Sequence, residues 1–386
     1  MPERWRTELK KFDRLHPDHD LVERGATRPL RPLPAPRAGT KIAIVAFALL
    51  IAAAGSYGAF TVLRSGSLDT HPAGGDRREA VSTHGNGELL YSKYVGTEGW
   101  SLFAVDPETS RERRITHGVR DYGSDWSPDG TKVVYDSEIE GTGEGNIVVA
   151  NADGSDPVVV GSGDDPAWSP DGSRIAYAGD GGCIWLMNVD GSDAHPVTEG
   201  AAAGTGKGDD AAYDWNPAWS PDGRSIAYSR VVEQRYAPMP NGKSSTHVTL
   251  EEVRVWHDGA EPETMLTDAY THIGELDWSP DGSTIVFTGA PTLFHEKTTD
   301  RSTSPRVLLI PSAGGRATPI SPDERSWSSG ATWSPDGRWI AYVDNSVAIV
   351  VMRVDGSNRR TLSVNPGEDE IIGPSWGAAA PSQAGP

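Results

Sequence analysis

Short runs in which apolar and polar residues alternate recur along most of the chain, each after the same tight-turn sequence. The pentapeptide Trp-Ser-Pro-Asp-Gly occurs five times; the seventh residue after each Trp is Val or Ile, and the ninth is Tyr or Phe. Side chains two residues apart lie on one face of a strand. The pairs are Val133 and Tyr135, Ile175 and Tyr177, Ile226 and Tyr228, Ile285 and Phe287, and Ile340 and Tyr342. The pattern therefore predicts a strand with one buried face after every pentapeptide.

The pentapeptide itself predicts a hairpin turn, with the Trp ending the strand before it. Pro fixes φ at the first corner, Asp can bond the turn backbone, and Gly tolerates positive φ. Successive copies start 42, 51, 59 and 55 residues apart, which suits a unit of about four short strands. The Trp positions of the repeat are Trp126, Trp168, Trp219, Trp278, Trp333 and, in a degenerate sixth copy, Trp376.

The repeat predicts an all-β fold, a six-bladed β-propeller of four-stranded antiparallel blades over residues 87–377. A third apolar run and a short fourth strand complete each unit, and such sheets bury their apolar faces only when neighbouring units stack. The first unit has Leu89 and Tyr91 but no Trp-ended strand before them, whereas residues 371–376 form such a strand with no unit after it. We expect this last strand to complete the first blade and to clasp the ring.

The repeated motif resembles the TolB-type propeller repeat, a relative of the WD-repeat propellers. It consists of Trp-Ser-Pro-Asp-Gly and a following strand with Ile or Val, then Ala or Val, then Tyr or Phe. The resemblance covers roughly residues 87 to 377. It implies the fold and leaves the function open, because similar repeats occur in periplasmic scaffold proteins, in gating propellers of peptidases and in some sugar lyases. We expect a membrane-anchored member without the small α/β domain that precedes the propeller in TolB proteins.

An uncharged apolar segment, residues 42–63, predicts a single transmembrane helix before the propeller. It would span about 33 Å at 1.5 Å per residue. Residues 1–41 contain ten Lys or Arg and six Asp or Glu, so we expect this N-terminal segment to be cytoplasmic and the propeller to lie outside the plasma membrane. Residues 64–86 are expected to be a linker, and residues 378–386 a disordered tail. The alternative is a cleaved signal peptide, with Ala52 to Ala54 at the cleavage site and a secreted propeller.

The composition narrows the function. The chain has a formal net charge of −19 and no basic stripe, which argues against nucleic-acid binding. No Gly-x-Ser-x-Gly, no His-Glu-x-x-His and no complete phosphate loop occurs, so the sequence predicts no enzyme, no cofactor and no metal site. The single Cys183 excludes an internal disulfide framework.

Insertions into the repeat point to one face of the propeller as the binding face. Extra residues fall around 200–212, between 228 and 253, and between 287 and 307. The antiparallel order of strands places all three on the face where the innermost strands begin, and long loops on a rigid scaffold commonly carry binding. The candidate residues in these loops are Arg235, Tyr236, Phe294 and His295.

The same face should carry an acidic ring around the mouth of the central channel, because the innermost strands start there. The predicted residues of this ring are Asp121, Tyr122, Asp164, Asp165, Asp210, Tyr213, Asp214, His272, Glu275, Asp369 and Glu370. Several carboxylates around a narrow opening focus their field on a cationic group, such as a basic peptide tail or a metal ion. An alternative is that these acidic loops only keep an exported domain soluble.

These features predict a scaffold in the cell envelope that binds a protein, a peptide or another ligand. The first alternative is an enzyme, a propeller lyase or hydrolase that uses His272 and Glu275 for acid/base chemistry on an envelope polymer, or a gating propeller associated with a peptidase. The second alternative is signalling, in which an amphipathic helix over residues 5–15 reports to a partner inside the cell.

Overall fold

The computed structural model describes residues 86–138, 145–199, 213–238, 245–264, 270–291, 304–321, 328–362 and 370–378. These residues form a six-bladed β-propeller of four-stranded antiparallel blades, as the repeat predicts. The predicted cytoplasmic segment, transmembrane helix and most of the linker lie outside the described residues. Within the described ranges, no helix has the length and apolar character needed to cross a membrane.

The strands follow one another blade by blade around the ring. In chain order they are β1 (Asn86–Tyr94), β2 (Trp100–Val105) and β3 (Glu112–Arg114) in blade 1; β4 (Asp121–Trp126), β5 (Lys132–Glu138), β6 (Gly145–Asn151) and β7 (Val158–Ser162) in blade 2; β8 (Asp164–Trp168), β9 (Arg174–Gly179), β10 (Cys183–Asn188) and β11 (His195–Pro196) in blade 3; β12 (Asp214–Trp219), β13 (Ser225–Pro238), β14 (Ser245–His257) and β15 (Ala260–Thr264) in blade 4; β16 (Tyr270–Trp278), β17 (Thr284–Pro291), β18 (Arg306–Pro311) and β19 (Thr318–Pro319) in blade 5; β20 (Ser328–Trp333), β21 (Trp339–Asp344), β22 (Ala348–Arg353) and β23 (Arg360–Leu362) in blade 6; and β24 (Ile371–Ala378), which returns to blade 1. One short 3-10 helix spans Gly96–Glu98.

The pentapeptide builds the same turn in all five copies. In the first, Ser127 Oγ donates to Asp129 Oδ1 at 2.7 Å and accepts the N–H of Lys132 at 2.9 Å. The other four copies repeat both bonds, with the same separations to within 0.1 Å. The final Gly has φ between 68° and 74° in every copy, a region that L side chains rarely adopt. Each turn therefore needs Ser, Asp and Gly, and joins the innermost strand of a blade to its second strand.

The Trp at the end of each innermost strand packs between blades. All six of these Trp side chains are 6–9% exposed. Three indoles also donate a hydrogen bond to a backbone carbonyl: Trp219 to Ala167 and Trp278 to Ala218 in the preceding blade, and Trp376 to Gly87. The apolar clusters that these residues join lie between neighbouring sheets, which is how a propeller forms a continuous core.

The ring closes as the sequence predicts, with β24 as the innermost strand of blade 1. It pairs antiparallel with β1 from Leu89 opposite Trp376 to Lys93 opposite Ile371. The pairing continues to Asn86 opposite Ala378. The two ends of the propeller sequence thus share one sheet.

The hairpin of β13 and β14 is longer than its equivalents in the other blades. Its backbone pairing continues from Ser225 opposite His257 to Pro238 opposite Ser245. It also bridges to the next blade, where Glu251 on β14 pairs with Tyr270 on β16, and the Glu251 carboxylate accepts the N–H of Ile273 at 2.8 Å. The insertion predicted between residues 228 and 253 is therefore a β-hairpin arm on the face where the innermost strands begin.

Candidate functional site: the mouth of the central channel

Each innermost strand has a β-bulge just before its Trp, where the register against the second strand shifts. The residues three positions before the six Trp are Gly123, Asp165, Asn216, Glu275, Gly330 and Gly373. All of these except Glu275 have φ between 41° and 52°. Gly, Asn and Asp tolerate this left-handed region best, which accounts for the residue types at five of the six positions.

These positions from different blades come close together around the channel. A Cβ on Gly373 would lie 3.1 Å from Glu275 Oε1, and a Cβ on Gly330 would lie 3.3 Å from Glu275 Oε2. The Glu275 side chain of blade 5 therefore reaches the bulges of blades 6 and 1. Glycines at these bulges leave space for its carboxylate.

A cluster of three carboxylates lies where blades 2 and 3 meet at the mouth, and we call Asp136, Asp164 and Asp165 the acidic cluster. Asp136 Oδ2 accepts the backbone N–H of Asp165 at 3.2 Å. A Cβ on Gly123 would lie 2.4 Å from Asp136 Oδ2 and 3.3 Å from Asp165 Oδ1, so the cluster closes tightly around this glycine. Asp136 is buried, and Asp164 and Asp165 are half-buried.

The carboxyl groups of the acidic cluster have raised pKa values. Burial, followed by repulsion from Asp164 and Glu275, raises the pKa of Asp165 to about 8. Burial raises the pKa of Asp164 to about 6, and burial with repulsion from Asp164 and Asp165 raises the pKa of Asp136 well above its ordinary value. Ionising these carboxyls therefore costs free energy in the folded chain, and an added positive charge at the mouth would favour their charged forms.

The carboxylates of two further half-buried aspartates hold neighbouring blades together. Asp125 accepts the N–H of Trp168 in the next blade and the hydroxyl of Ser375 in the preceding one, both at 2.8 Å. Asp277 accepts the N–H of Trp333 at 2.7 Å and the hydroxyl of Thr332 at 2.9 Å. Burial raises the pKa of both carboxyls, that of Asp277 to about 7. Their bonds indicate a structural role.

Aromatic side chains flank the acidic cluster on the same face. Trp100 lies between Tyr94 and Tyr122, with ring centroids 5.6 Å and 5.4 Å away. Tyr94 is 38% exposed. On blade 4, Tyr213 lies 6.2 Å from Trp215. Trp100 itself is buried. Aromatic faces attract cations, so the other rings, and that of Tyr94 above all, extend the surface that a cationic ligand can contact.

The structure brings some of the predicted site residues together. Asp164 lies in the acidic cluster, and Glu275 is close enough to Asp165 to raise its pKa. The carboxylate of Asp214 instead bonds within its own region, accepting from Arg230 Nε at 2.5 Å and from the hydroxyl of Thr198 at 2.6 Å. A role of Asp214 in binding stays a prediction.

The structure describes some of the remaining predicted residues and not others. His272 lies on β16, three residues before Glu275, and burial lowers its pKa to about 4. Arg235 and Tyr236 lie in the hairpin arm, opposite Val248 and His247. Asp210, Phe294 and His295 lie outside the described residues. Within the described ranges, no three His, Cys, Asp or Glu side chains are grouped so that they could hold a metal ion.

The sequence pattern does not predict three acidic residues of the channel. Asp136 lies ten residues after its Trp, on the second strand of its blade, and reaches the mouth only because the bulge at Gly123 opens space for it. Asp125 and Asp277 each precede the Trp of a repeat. An Asp directly before Trp in two of the six copies is a signal that could have indicated contacts between blades.

Comparison with known proteins identifies a fold. No family model matches the chain, and no curated protein matches it. Among solved structures, TolB from Acinetobacter baumannii superposes with a TM-score of 0.53 at 18% identity, covering 75% of this chain and 66% of that one. A putative TolB from Agrobacterium tumefaciens gives 0.50 at 20% identity, covering 72% and 89%.

A chain of a nidogen/laminin complex gives a TM-score of 0.53 at 14% identity, over 76% of this chain and 98% of that one. At these identities the likeness concerns the fold alone. The resemblance predicted from the pentapeptide is confirmed at that level: the chain is a six-bladed β-propeller similar in fold to TolB.

Proposed function

We propose that this chain is a binding propeller without catalytic activity, which holds a cationic segment of a protein or peptide ligand at the mouth of its channel. The acidic cluster is the observation that supports this most directly. Three carboxylates packed together with raised pKa values destabilise the fold, and such groups are concentrated at functional sites. A lysine or arginine of a ligand would relieve the repulsion.

The chemistry of the mouth favours a basic peptide segment as the ligand. Asp164 and Glu275 supply negative charge, Asp165 adds to it when it loses its proton, and Tyr94 with Tyr122 supplies an adjacent aromatic surface. A basic side chain would fit the carboxylates, and its neighbours could pack on the rings. TolB and a chain of a nidogen/laminin complex occur among the similar solved structures, and the second of these belongs to a complex between proteins, which is consistent with a protein ligand.

The cell envelope is the proposed location. The uncharged segment 42–63 would anchor the chain, and the positive balance of residues 1–41 would hold the N-terminus inside. The propeller would then meet its ligand outside the plasma membrane. Cleavage near Ala54 would give the same propeller in secreted form.

Site-specific photocrosslinking in the native cell tests this function. A photoreactive amino acid replaces Tyr94, which is exposed at the mouth, or Asp258, which is exposed in the turn between β14 and β15 on the opposite face. We expect a discrete protein adduct from position 94 and none from position 258. The same adducts from both positions, or an adduct from position 258 alone, would contradict binding at the mouth.

The enzymatic alternative depends on His272 and Glu275. Burial lowers the pKa of His272 to about 4, so its imidazole is neutral at physiological pH and could accept a proton. Turnover of an envelope glycan by the purified chain, abolished by His272→Ala and by Glu275→Gln, would establish this alternative and replace the proposal.

A further inference from the structure

The outer strand of blade 2, β7, differs from the outer strands of the other blades. An outer strand leaves one row of backbone N–H and C=O groups unpaired, and proteins protect such edges by short length, charge or Pro. The other outer strands have sequences Glu-Arg-Arg, His-Pro, Ala-Glu-Pro-Glu-Thr, Thr-Pro and Arg-Thr-Leu. β7 is Val-Val-Val-Gly-Ser, five residues with neither charge nor Pro. It is the outer strand without these protections.

The valines of β7 are open to solvent. Val158 is 58% exposed and Val159 is 50% exposed. In the described part of the chain, β7 pairs with β6 alone. The backbone of Gly191 in blade 3 packs against the carbonyl oxygen of Val160, so the open part of the edge is at Val158 and Val159. Exposed β-branched residues on an open edge favour pairing with a further strand.

A groove runs beside this edge, between blades 2 and 3. Its volume is about 560 Å³, within the roughly 300–1,000 Å³ of ligand-binding clefts. Its apolar lining is Val149, Val158, Val160 and Val189. Val158 and Val160 are two residues apart, which places alternate side chains of β7 along the groove. A strand added beside β7 would direct its own alternate side chains into the same space.

The charged residues of the groove favour a basic partner. Asp156 and Asp190 line it together with a single cation, Lys132. Both carboxylates are exposed, and neither forms an ion pair within the described ranges. Pairing with a second copy of this chain would bring two acidic grooves together on molecules that each carry −19, a repulsive arrangement.

We propose that β7 binds an extended segment of a partner protein by backbone pairing, with apolar side chains at alternate positions in the groove and a flanking basic residue facing Asp156 and Asp190. This surface lies on the rim of the propeller and is separate from the mouth of the channel. Backbone pairing supplies affinity, and the groove and its carboxylates supply selectivity.

The probe is a fluorescent peptide, Lys-Val-Thr-Val-Thr-Val-Lys, titrated into the purified full chain by anisotropy. We expect saturable binding that weakens at least tenfold with Val158→Lys, because the new ammonium repels the probe and interrupts the edge. Val347→Lys is the matched control, since Val347 is 46% exposed on blade 6, and it should bind as the wild type does. Asp156→Asn should weaken binding severalfold and keep the fold, because Asp156 has φ 52° and Asn tolerates that conformation.

Two altered peptides test the mode of binding. Methylating alternate backbone nitrogens along one edge of the probe should abolish binding, and replacing its two lysines by glutamates should weaken it. Equal binding of the methylated probe, equal binding by Val158→Lys, or concentration-dependent dimers that Val158→Lys abolishes would each overturn the proposal. The two lysines of the probe would also be attracted to the mouth, so the titrations are repeated with a chain that carries Asp164→Asn and Glu275→Gln. Binding that Val158→Lys weakens in this background supports the proposal; complete loss of binding in this background would overturn it and assign the probe to the mouth.

Discussion

Asp165 at the mouth of the channel allows a test of whether the acidic cluster lowers stability. Its pKa is raised to about 8 in the folded chain, against about 4 for an unperturbed Asp. The folded state therefore binds more protons than the unfolded state between these two values. The free energy of unfolding should fall as the pH rises from about 4 to about 8.

The substitution Asp165→Asn removes this effect with little change of shape. Asp165 has φ 51°, and Asn216 has φ 52° at the equivalent bulge of the next blade, so Asn is already accommodated there. Between pH 4 and pH 7, the raised pKa of Asp165 lowers the free energy of unfolding by about 1.4 kcal/mol per pH unit, or about 4 kcal/mol in total. Because Asp165 is only half-buried, solvent screening reduces this value, and we expect a gain of about 2 kcal/mol at pH 7.

Urea unfolding of the wild type and of Asp165→Asn, measured from pH 4 to pH 8, checks this expectation. The two should have the same stability near pH 4, and the variant should lose less stability as the pH rises. Asp193→Asn is the control, because Asp193 is exposed and has φ 58°. If Asp165→Asn matched the wild type at pH 7, or followed the same pH dependence, the reasoning on the acidic cluster would be refuted.

Two further substitutions test the contacts that hold the ring. Trp376→Ala removes a side chain that packs against blade 6 and bonds Gly87, and should lower the stability by about 3–5 kcal/mol; an unchanged urea midpoint would argue against closure by β24. Asp277→Ala leaves the N–H of Trp333 and the hydroxyl of Thr332 without their acceptor, and should cost about 1–3 kcal/mol. A gain in stability for Asp277→Ala would show that Asp277 belongs with the destabilising carboxylates.

The sequence was sufficient to predict the blades and their closure, because both depend on local chemistry. Ser-Pro-Asp-Gly specifies its turn through bonds within five residues, and the strand after it is set by alternation. The return of β24 to blade 1 follows from a strand lacking at one end of the repeat and present at the other. Asp164 could be assigned to the mouth because it starts β8. Glu275 was assigned on the same ground, but it lies at the bulge of β16, three residues before Trp278.

The contacts within the site were less predictable, because they join residues from different blades. Asp136 and Asp165 are 29 residues apart in sequence. Their contact depends on a β-bulge, and the alternation of apolar and polar residues does not show where that bulge lies. Asp214 illustrates the opposite case. It was predicted from the same pattern as Asp164, yet Arg230 on the neighbouring strand of its own blade binds its carboxylate, and that pairing depends on the register of β12 against β13.

Calorimetric titration of a pentalysine peptide into the full chain most directly tests binding at the mouth. The account predicts saturable binding that strengthens from pH 6 to pH 8, as Asp164 and Asp165 lose their protons. It should weaken at least tenfold when Asp164 and Asp165 are replaced by Asn and Glu275 by Gln. A control chain with Asp193→Asn, Asp258→Asn and Glu108→Gln has the same net charge, and these three residues are exposed away from the mouth. Equal affinity of the mouth variant and this control would contradict the account.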